Sequence, residues 1–447
     1  MAALITYDQK LERLDAGLRA QGPCTVGLAK KTSNLFRDRG SQVRPKVDLS
    51  GFNQVLGIDR LAGIVECEGM TTYADLVEAT LAHGVMPCVV PQLKSITVGG
   101  ATAGVGIESS SFRYGLVHET LRAMDVLLAD GSVVTCTPGN EYSDLFFGFP
   151  NSYGTLGYAL KVTAEVAPIK RYVRLTHIRH RDPEDYFADL AQRCRGDADF
   201  VDGTVFSADE MYITLGHFVA ACPYASDYTF EHIYYRSIRE RTSDYLSTED
   251  YLWRWDTDWF WCSRNLFAQN PLVRRLLGRR RLNSLTYSRI MRWNSRWGIT
   301  RTLSRLTATH VETVIQDVDI PLANAAEFLA FLLREIGILP IWICPIHARD
   351  TARSFPLYKL EPRTLYINFG FWDSVRGREP KPAGYLNRRI ERRVHELAGI
   401  KSLYSDAYFP EDEFWDIYNG TAYDALKQRY DPQGQLRTLY QKCVLRQ

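Results

Sequence analysis

Apolar and polar positions alternate in short blocks through the first third of the chain, and glycine breaks the blocks. "VDLSGFNQVLGID" and "AGIVECEGM" read as strands that stop at Gly51, Gly57, Gly63 and Gly69. "TYADLVEATLAHGV" changes period. Its apolar residues recur at helical spacing, with Thr71 or Thr72 placed to cap the first turn and Gly84 to end the helix. "TLRAMDVLLADGSVVTCTP" returns to strand, turn, strand. Asp130-Gly131 tolerates the positive φ of a tight hairpin. "SDLFFGFPNSYGTLGYALKVTAEVAPI" gives a short helix or turn, a glycine-broken approach and another strand.

Near Pro168 the texture shifts. "RYVRLTHIRH" alternates and is basic, and "FVDGTVFSADEMYITLGHFVA" reads as a hairpin. "HVETVIQDVDIPLANAAEFLAFLLREIG" predicts a strand then a helix, "LPIWICPIH" and "TLYINFGFW" two buried strands, and the tail from about residue 387 helices. The pattern predicts an α+β chain divided near residue 170: residues 1–170, residues 171–386 and a helical tail, 387–447. A length of 447 residues agrees with more than one core.

Composition narrows the classes. Lys+Arg 54 against Asp+Glu 52 leaves a net charge of +2, so nothing global points to nucleic acid. The nine cysteines form no CxxC, and the start reads as an amphipathic helix and not as a signal peptide. Reduced thiols in a cytoplasmic protein are expected. No apolar run reaches the length of a membrane span. His395-Glu396 lacks the second histidine of HExxH, and no metal is expected.

The candidate chemistry centres on "PQLKSITVGGATAGVGIESSSFRYG", residues 91–115. No GxxxxGK[ST] is present, so a P-loop is excluded. Gly104, Gly106 and Ser109 approach a Rossmann fingerprint, with Asp125 where a ribose-binding acid would sit. The residues that follow make a poor helix, and no βαβ pattern surrounds them. Two readings stay open: a loop whose N–H groups and hydroxyls wrap a diphosphate, or a glycine-rich crossover without ligand.

"ITVGGATAGVGIESSSFRYGLVHETLRAMDVLLADGSVVTCTP" and "YSDLFFGFPNSYGTLGYALKVTAEV" resemble the two-subdomain, PCMH-type FAD-binding domain of the vanillyl-alcohol oxidase superfamily. The branch most similar is the Δ24-sterol reductases. "LPIWICPI", "TLYINFG", "LYSDAYFPEDEFWDIYNGTAYDAL" and "LYQKCV" extend the likeness to the carboxy-terminal half. "VGLAKKTSNLFRDR" is also similar to bacterial methylene-fatty-acyl reductases.

The resemblance implies non-covalent FAD, with a substrate (cap) domain of antiparallel sheet and helices over it. It implies cofactor contacts from Thr97, Gly99, Gly100, Gly104, Gly106, Ile107, Ser109 and Ser110, with Gly115, Gly157 and Val166 packed near the cofactor. A first phosphate loop would come from Lys30, Lys31, Thr32, Ser33 and Asn34.

The implied reaction is NAD(P)H-dependent reduction of a lipid C=C bond, in a methylene-fatty acyl chain or a sterol side chain. An isolated alkene needs a proton donor in a dry pocket. Glu108, Tyr404 and Asp406 are the candidates, each with a plain structural alternative. Two alternatives stand beside this reading: an FAD-linked oxidase of an alcohol or sugar-like substrate, and a non-catalytic flavin-fold lipid-binding protein.

Residues 251–305 carry Trp253, Trp255, Trp259, Trp261, Trp293 and Trp297, with Arg274, Arg275, Arg279, Arg280 and Arg281. That mixture predicts contact with an anionic membrane surface, at the inner face of the plasma membrane, against the alternative of internal packing. The oligomeric state is not specified.

Overall fold

The structure is a computed structural model and describes residues 5–21, 27–29, 36, 46–287, 289–290, 310–377 and 379–447. Lys30, Lys31, Thr32, Ser33, Asn34, Trp293 and Trp297 lie outside the described residues.

Two antiparallel sheets organise the chain, so the α+β expectation holds. β1 (Gly27–Ala29) and β2 (Lys46–Asp48) form a parallel pair. β3 (Val55–Asp59), β4 (Ile64–Glu68), β5 (Val85–Pro87), β6 (Leu121–Leu127), β7 (Val133–Cys136) and β8 (Tyr158–Pro168) make a six-stranded sheet centred on β8. The hairpin β6–β7 closes through Gly131 at φ +90°, as the Asp-Gly turn predicts. The helix expected after β4 spans Tyr73–Leu81. Thr72 caps it by accepting the Asp75 N–H, and Gly84 takes φ +71° beyond its end.

The second sheet begins four residues after the first ends. β9 (Tyr172–His180), β10 (Phe200–Ser207), β11 (Glu210–Val219), β12 (Ser243–Ser247), β13 (His310–Pro321), β14 (Ile341–His347), β15 (Leu365–Gly377) and β16 (Ile400–Lys401) pair in the order β12-β9-β11-β10-β14-β15-β13-β16. Strand periodicity gives this sheet two different faces. Val201, Ile213, Val314, Val318, Ile341, Ile343, Phe369 and Phe371 pack against the helices Pro183–Arg193, Ala325–Phe331 and Tyr385–Glu396. The alternate positions carry Asp202, Thr214, Trp342, Cys344, Asn368, Trp372, Asp317 and Asp319 and turn towards the amino-terminal half. Among the described residues no helix is long and apolar enough to cross a membrane.

The glycine segment is locked onto the first sheet by close backbone packing. Gly99 donates its N–H to the Gly69 carbonyl at 2.8 Å. A Cβ on Gly69 would lie 1.9 Å from the Ala159 carbonyl oxygen, and a Cβ on Gly99 would lie 2.8 Å from Gly69 O. Both obstacles are backbone, which cannot rotate away. We expect Gly69→Ala to destabilise the fold by about 1–3 kcal/mol, read as a lower melting temperature with loosened flavin. A melt identical to wild type would show that β8 moves aside freely.

Candidate active site between the sheets

Residues 97–115 form a short helix, Val98–Ala103, then a turn that carries the chain across to β14. Thr97 caps that helix by accepting the Gly100 N–H at 3.2 Å. Gly104 lies between the Gly100 carbonyl and the Tyr153 ring. Gly106 faces Val117, whose Cγ2 would be 2.5 Å from an added Cβ, and Ile107 packs half-buried on the core. Gly115 (φ +70°) makes room for the Glu119 carboxylate and Gly157 (φ +145°) for the Leu127 carbonyl. Val166 donates its N–H to Gly63 within the first sheet. These glycines are needed first for chain-to-chain approach.

The serines tie the segment to its surroundings. Ser109 donates to Glu108 Oε1 at 2.6 Å and lies 2.9 Å from the Tyr251 hydroxyl. Ser110 donates to the Cys88 carbonyl, and Ser111 Oγ accepts the Glu108 N–H. All three hydroxyls hold bonds inside the protein. Asp125, likewise, is bound by Tyr7, Thr135 and Lys161.

Glu108 is buried and pinned. The guanidinium of Arg254 donates to Glu108 Oε1 at 3.0 Å and to Asp202 Oδ2 at 2.8 Å, and Trp342 Nε1 adds a third donor at 3.1 Å to Asp202. Arg254 lies over the Tyr251 ring, 4.1 Å from its centroid. Burial pushes the Asp202 carboxyl up, although Arg254 opposes the shift. Glu108 Oε1 is thus held by Arg254 and Ser109, while its Oε2 is buried without a hydrogen-bond partner. Asp406 pairs with Arg446 at 3.4 Å, and its backbone carbonyl receives the buried Lys401 ammonium.

Tyr404 stays in play, with an acid that the sequence reading missed. Trp372 Nε1 donates to the Tyr404 hydroxyl at 2.8 Å, and Asp317 faces the same hydroxyl. Asp317 stands opposite Gly370 in the β13–β15 register. A Cβ on Gly370 would meet Asp317 Oδ1 at 2.7 Å and the Trp372 ring at 2.6 Å, so this glycine opens the space both occupy. Burial raises the Asp317 carboxyl to about 7; the Tyr404 interaction opposes this and the Asp319 charge adds to it. Asp319, two residues along the same face, is raised by burial to about 6 while accepting from Asn368 Nδ2 and the Tyr358 hydroxyl at 2.7 Å each. The available signal was two carboxylates at alternate positions of a strand, with Val318 and Ile320 between and beyond them on its other face.

A polar row therefore crosses the sheet, Asp319 beside Asn368 and Asn368 beside Cys344, and Cys344 Sγ reaches the Glu108 carbonyl at 3.1 Å. From the first sheet, Asn151 and Tyr153 adopt left-handed φ of 63° and 50° and hang on the Gly104 and Ala103 carbonyls. Asn151 Nδ2 donates to the Leu357 carbonyl at 2.7 Å. Strained polar residues of this kind gather at ligand sites.

The test for a buried cofactor is whether polar atoms here lack partners. Asn151 Oδ1, Ser152 Oγ, Asn368 Oδ1, Asp317 Oδ1, Ser405 Oγ and both ends of the Gln92 amide are buried with none. A flavin ring edge carries donors and acceptors that amides and hydroxyls answer, so these residues fit FAD. Phe36 pairs with Ser405 and donates its N–H to the Tyr404 carbonyl.

The family model described as FAD binding domain matches residues 30–137. The chain thus carries an FAD-binding domain of the PCMH type. Its homologues over most of its length include Delta(24)-sterol reductases. That of Homo sapiens is 29% identical over 412 residues, covering 87% of this chain and 75% of the relative. That of Arabidopsis thaliana is 26% identical, covering 89% and 76%. Cytokinin dehydrogenase 7 of Oryza sativa subsp. japonica is 30% identical over 149 residues, covering 32% and 28%.

Arg254 is the one cation bridging the two buried carboxylates. Arg254→Met leaves both uncompensated and is expected to cost about 3–5 kcal/mol. Adding Asp202→Asn to that variant removes one charge and should recover part of the loss in a denaturation cycle. Strict additivity of the two changes would mean that the residues do not interact.

Proposed function

We propose that this protein is an FAD-dependent oxidoreductase that takes electrons from NAD(P)H and saturates an isolated C=C bond of a lipid. The observation carrying this reading is a carboxyl, Asp317, held near its protonated form beside Tyr404 on the polar face opposite the glycine segment. A protonated acid suits proton donation to an alkene better than proton removal from an alcohol.

Bound FAD supplies the hydride chemistry. The chain supplies the proton and the dry setting. Tyr404 donates its hydroxyl proton to the less substituted alkene carbon and is resupplied by Asp317. The electron-poor tertiary carbon so formed accepts the hydride, and the sum is addition of H⁻ and H⁺ across the bond. Trp372 fixes the Tyr404 oxygen, and the rings of Phe260 and Trp372, 4.3 Å between centroids, wall the space in hydrocarbon. Asn151, Ser152, Asn368 and Gln92 are the residues best placed to hold the flavin, with Lys30 to Asn34 as its phosphate loop. The relatives' name supports a sterol side chain as substrate, and the loop at residues 28–36 supports a methylene-branched acyl chain.

An anaerobic absorption spectrum tests the reading. The flavin should bleach with NADPH or NADH and recover with a Δ24-unsaturated sterol or a phospholipid bearing a methylene branch. A flavin that does not bleach, or one that bleaches with alcohols and is reoxidised by air at turnover rate, would replace the reductase by an oxidase.

The acid has a pH signature. Asp317 shifts from 3.8 to about 7 on folding. The folded protein therefore holds an extra proton in that window, and its contribution to stability is lost as pH rises through about 7. The lipid-dependent step should slow over the same limb, and Asp317→Asn should remove the limb. Tyr404→Phe should slow that step by about 10²–10⁴-fold and leave bleaching by NAD(P)H intact. Unchanged lipid reduction in Tyr404→Phe would place the proton donor elsewhere.

A further inference from the structure

The aromatic and basic stretch divides into an inner and an outer part. Trp253, Trp255, Trp259 and Trp261 are buried, which corrects the expectation that they face a membrane. Trp255 stacks on Phe260, and Trp261 packs edge-on against Trp255. Arg274 is buried as well. It donates to both Asp258 oxygens at 2.6 and 2.9 Å and to the carbonyls of Phe230 and Ala268.

That anchor holds the helix Pro271–Leu277 by its inner side, with Asn270 capping it through the Leu272 N–H at 2.9 Å. The outer side is then fixed in water with the wrong residues for water. Leu272 is 71% exposed, Leu276 83%, and Phe267 77% with a left-handed φ of 56°. Single exposed apolar residues are ordinary. Here Phe267 and an i, i+4 leucine pair share fifteen residues of chain with four exposed arginines. Arg275 and Arg279 have exposed partners in Glu231 (3.6 Å) and Asp227 (2.8 Å). Arg280 and Arg281 have no carboxylate partner among the described residues.

We propose that this face docks the enzyme onto an anionic lipid bilayer. Phe267, Leu272 and Leu276 enter the boundary between headgroups and acyl chains, and Arg275, Arg279, Arg280 and Arg281 meet the lipid anions. Charge selects this occupant. A second copy of the chain docking face to face would set its own arginines against these, and a nucleic acid would leave the leucines and Phe267 in water. The chain also links the face to the site, because Phe260 packs on Trp372 and Phe267 emerges seven residues later. The docking surface stands on geometry independent of the reaction.

The test is co-sedimentation of the full-length, FAD-loaded protein with phosphatidylcholine vesicles, with and without phosphatidylserine. Binding should need the anionic lipid and fall with salt. Leu272→Asp/Leu276→Asp and Arg279→Gln/Arg280→Gln/Arg281→Gln should each lower the partition coefficient by about tenfold or more. Flavin spectrum, melting temperature and reduction by NAD(P)H should stay at wild-type values. Equal binding to neutral vesicles, no binding by the wild type, or variants that bind as the wild type does would overturn the proposal. So would a wild-type dimer in solution that the leucine variant dissociates, which would make the face an interface between copies.

Discussion

Arg254 is the cation on which the arrangement of the site depends. It sits on the segment that follows the helix Thr248–Leu252, yet its bonds go to Glu108 from the glycine segment and Asp202 from β10. Three stretches far apart in sequence meet on one guanidinium. Burying that charge costs several kcal/mol before any bond forms, so only a geometry that satisfies it is tolerated. Arg rather than Lys suits the place, because Nη2 serves both carboxylates while Nη1 reaches the Tyr251 carbonyl and the guanidinium lies over the Tyr251 ring. The constraint fixes how the second sheet's polar face is presented to the turn at residues 104–111, and every residue assigned a role in catalysis lies on one or other side of that join.

Elements built by local rules were legible in the sequence. The Thr72 cap, the Asp130-Gly131 turn and the β10–β11 hairpin all rest on residues a few positions apart. The site was legible only where a long motif marked it. Asp317 was missed because its meaning depends on β13 lying beside β15, which places Gly370 and Trp372 against it. A strand reading says which face a carboxylate is on and not what covers that face. The tryptophans failed for another reason. Their chemistry is the same in a core and at a bilayer, and only the ring contacts of Trp255 and Trp261 separate the two. Gly99 was read for a ligand, whereas its packing against the Gly69 and Ala159 backbone demands a glycine whether or not a diphosphate lies near.

The unpartnered atoms between the sheets bear on how the enzyme must work. Each buried donor or acceptor without a partner costs about 1–3 kcal/mol. Asn151, Ser152, Asn368 and Gln92 each carry that cost. A ligand that answers these atoms therefore repays strain already present, and loading stabilises the join that Arg254 sets. The same dryness that makes the atoms costly raises the Asp317 carboxyl to about 7. Affinity for a polar cofactor and acidity towards an apolar substrate thus have one physical origin, exclusion of water from the space between two sheets. A change that admits water there would weaken both at once, even if it touched neither Tyr404 nor the glycine segment.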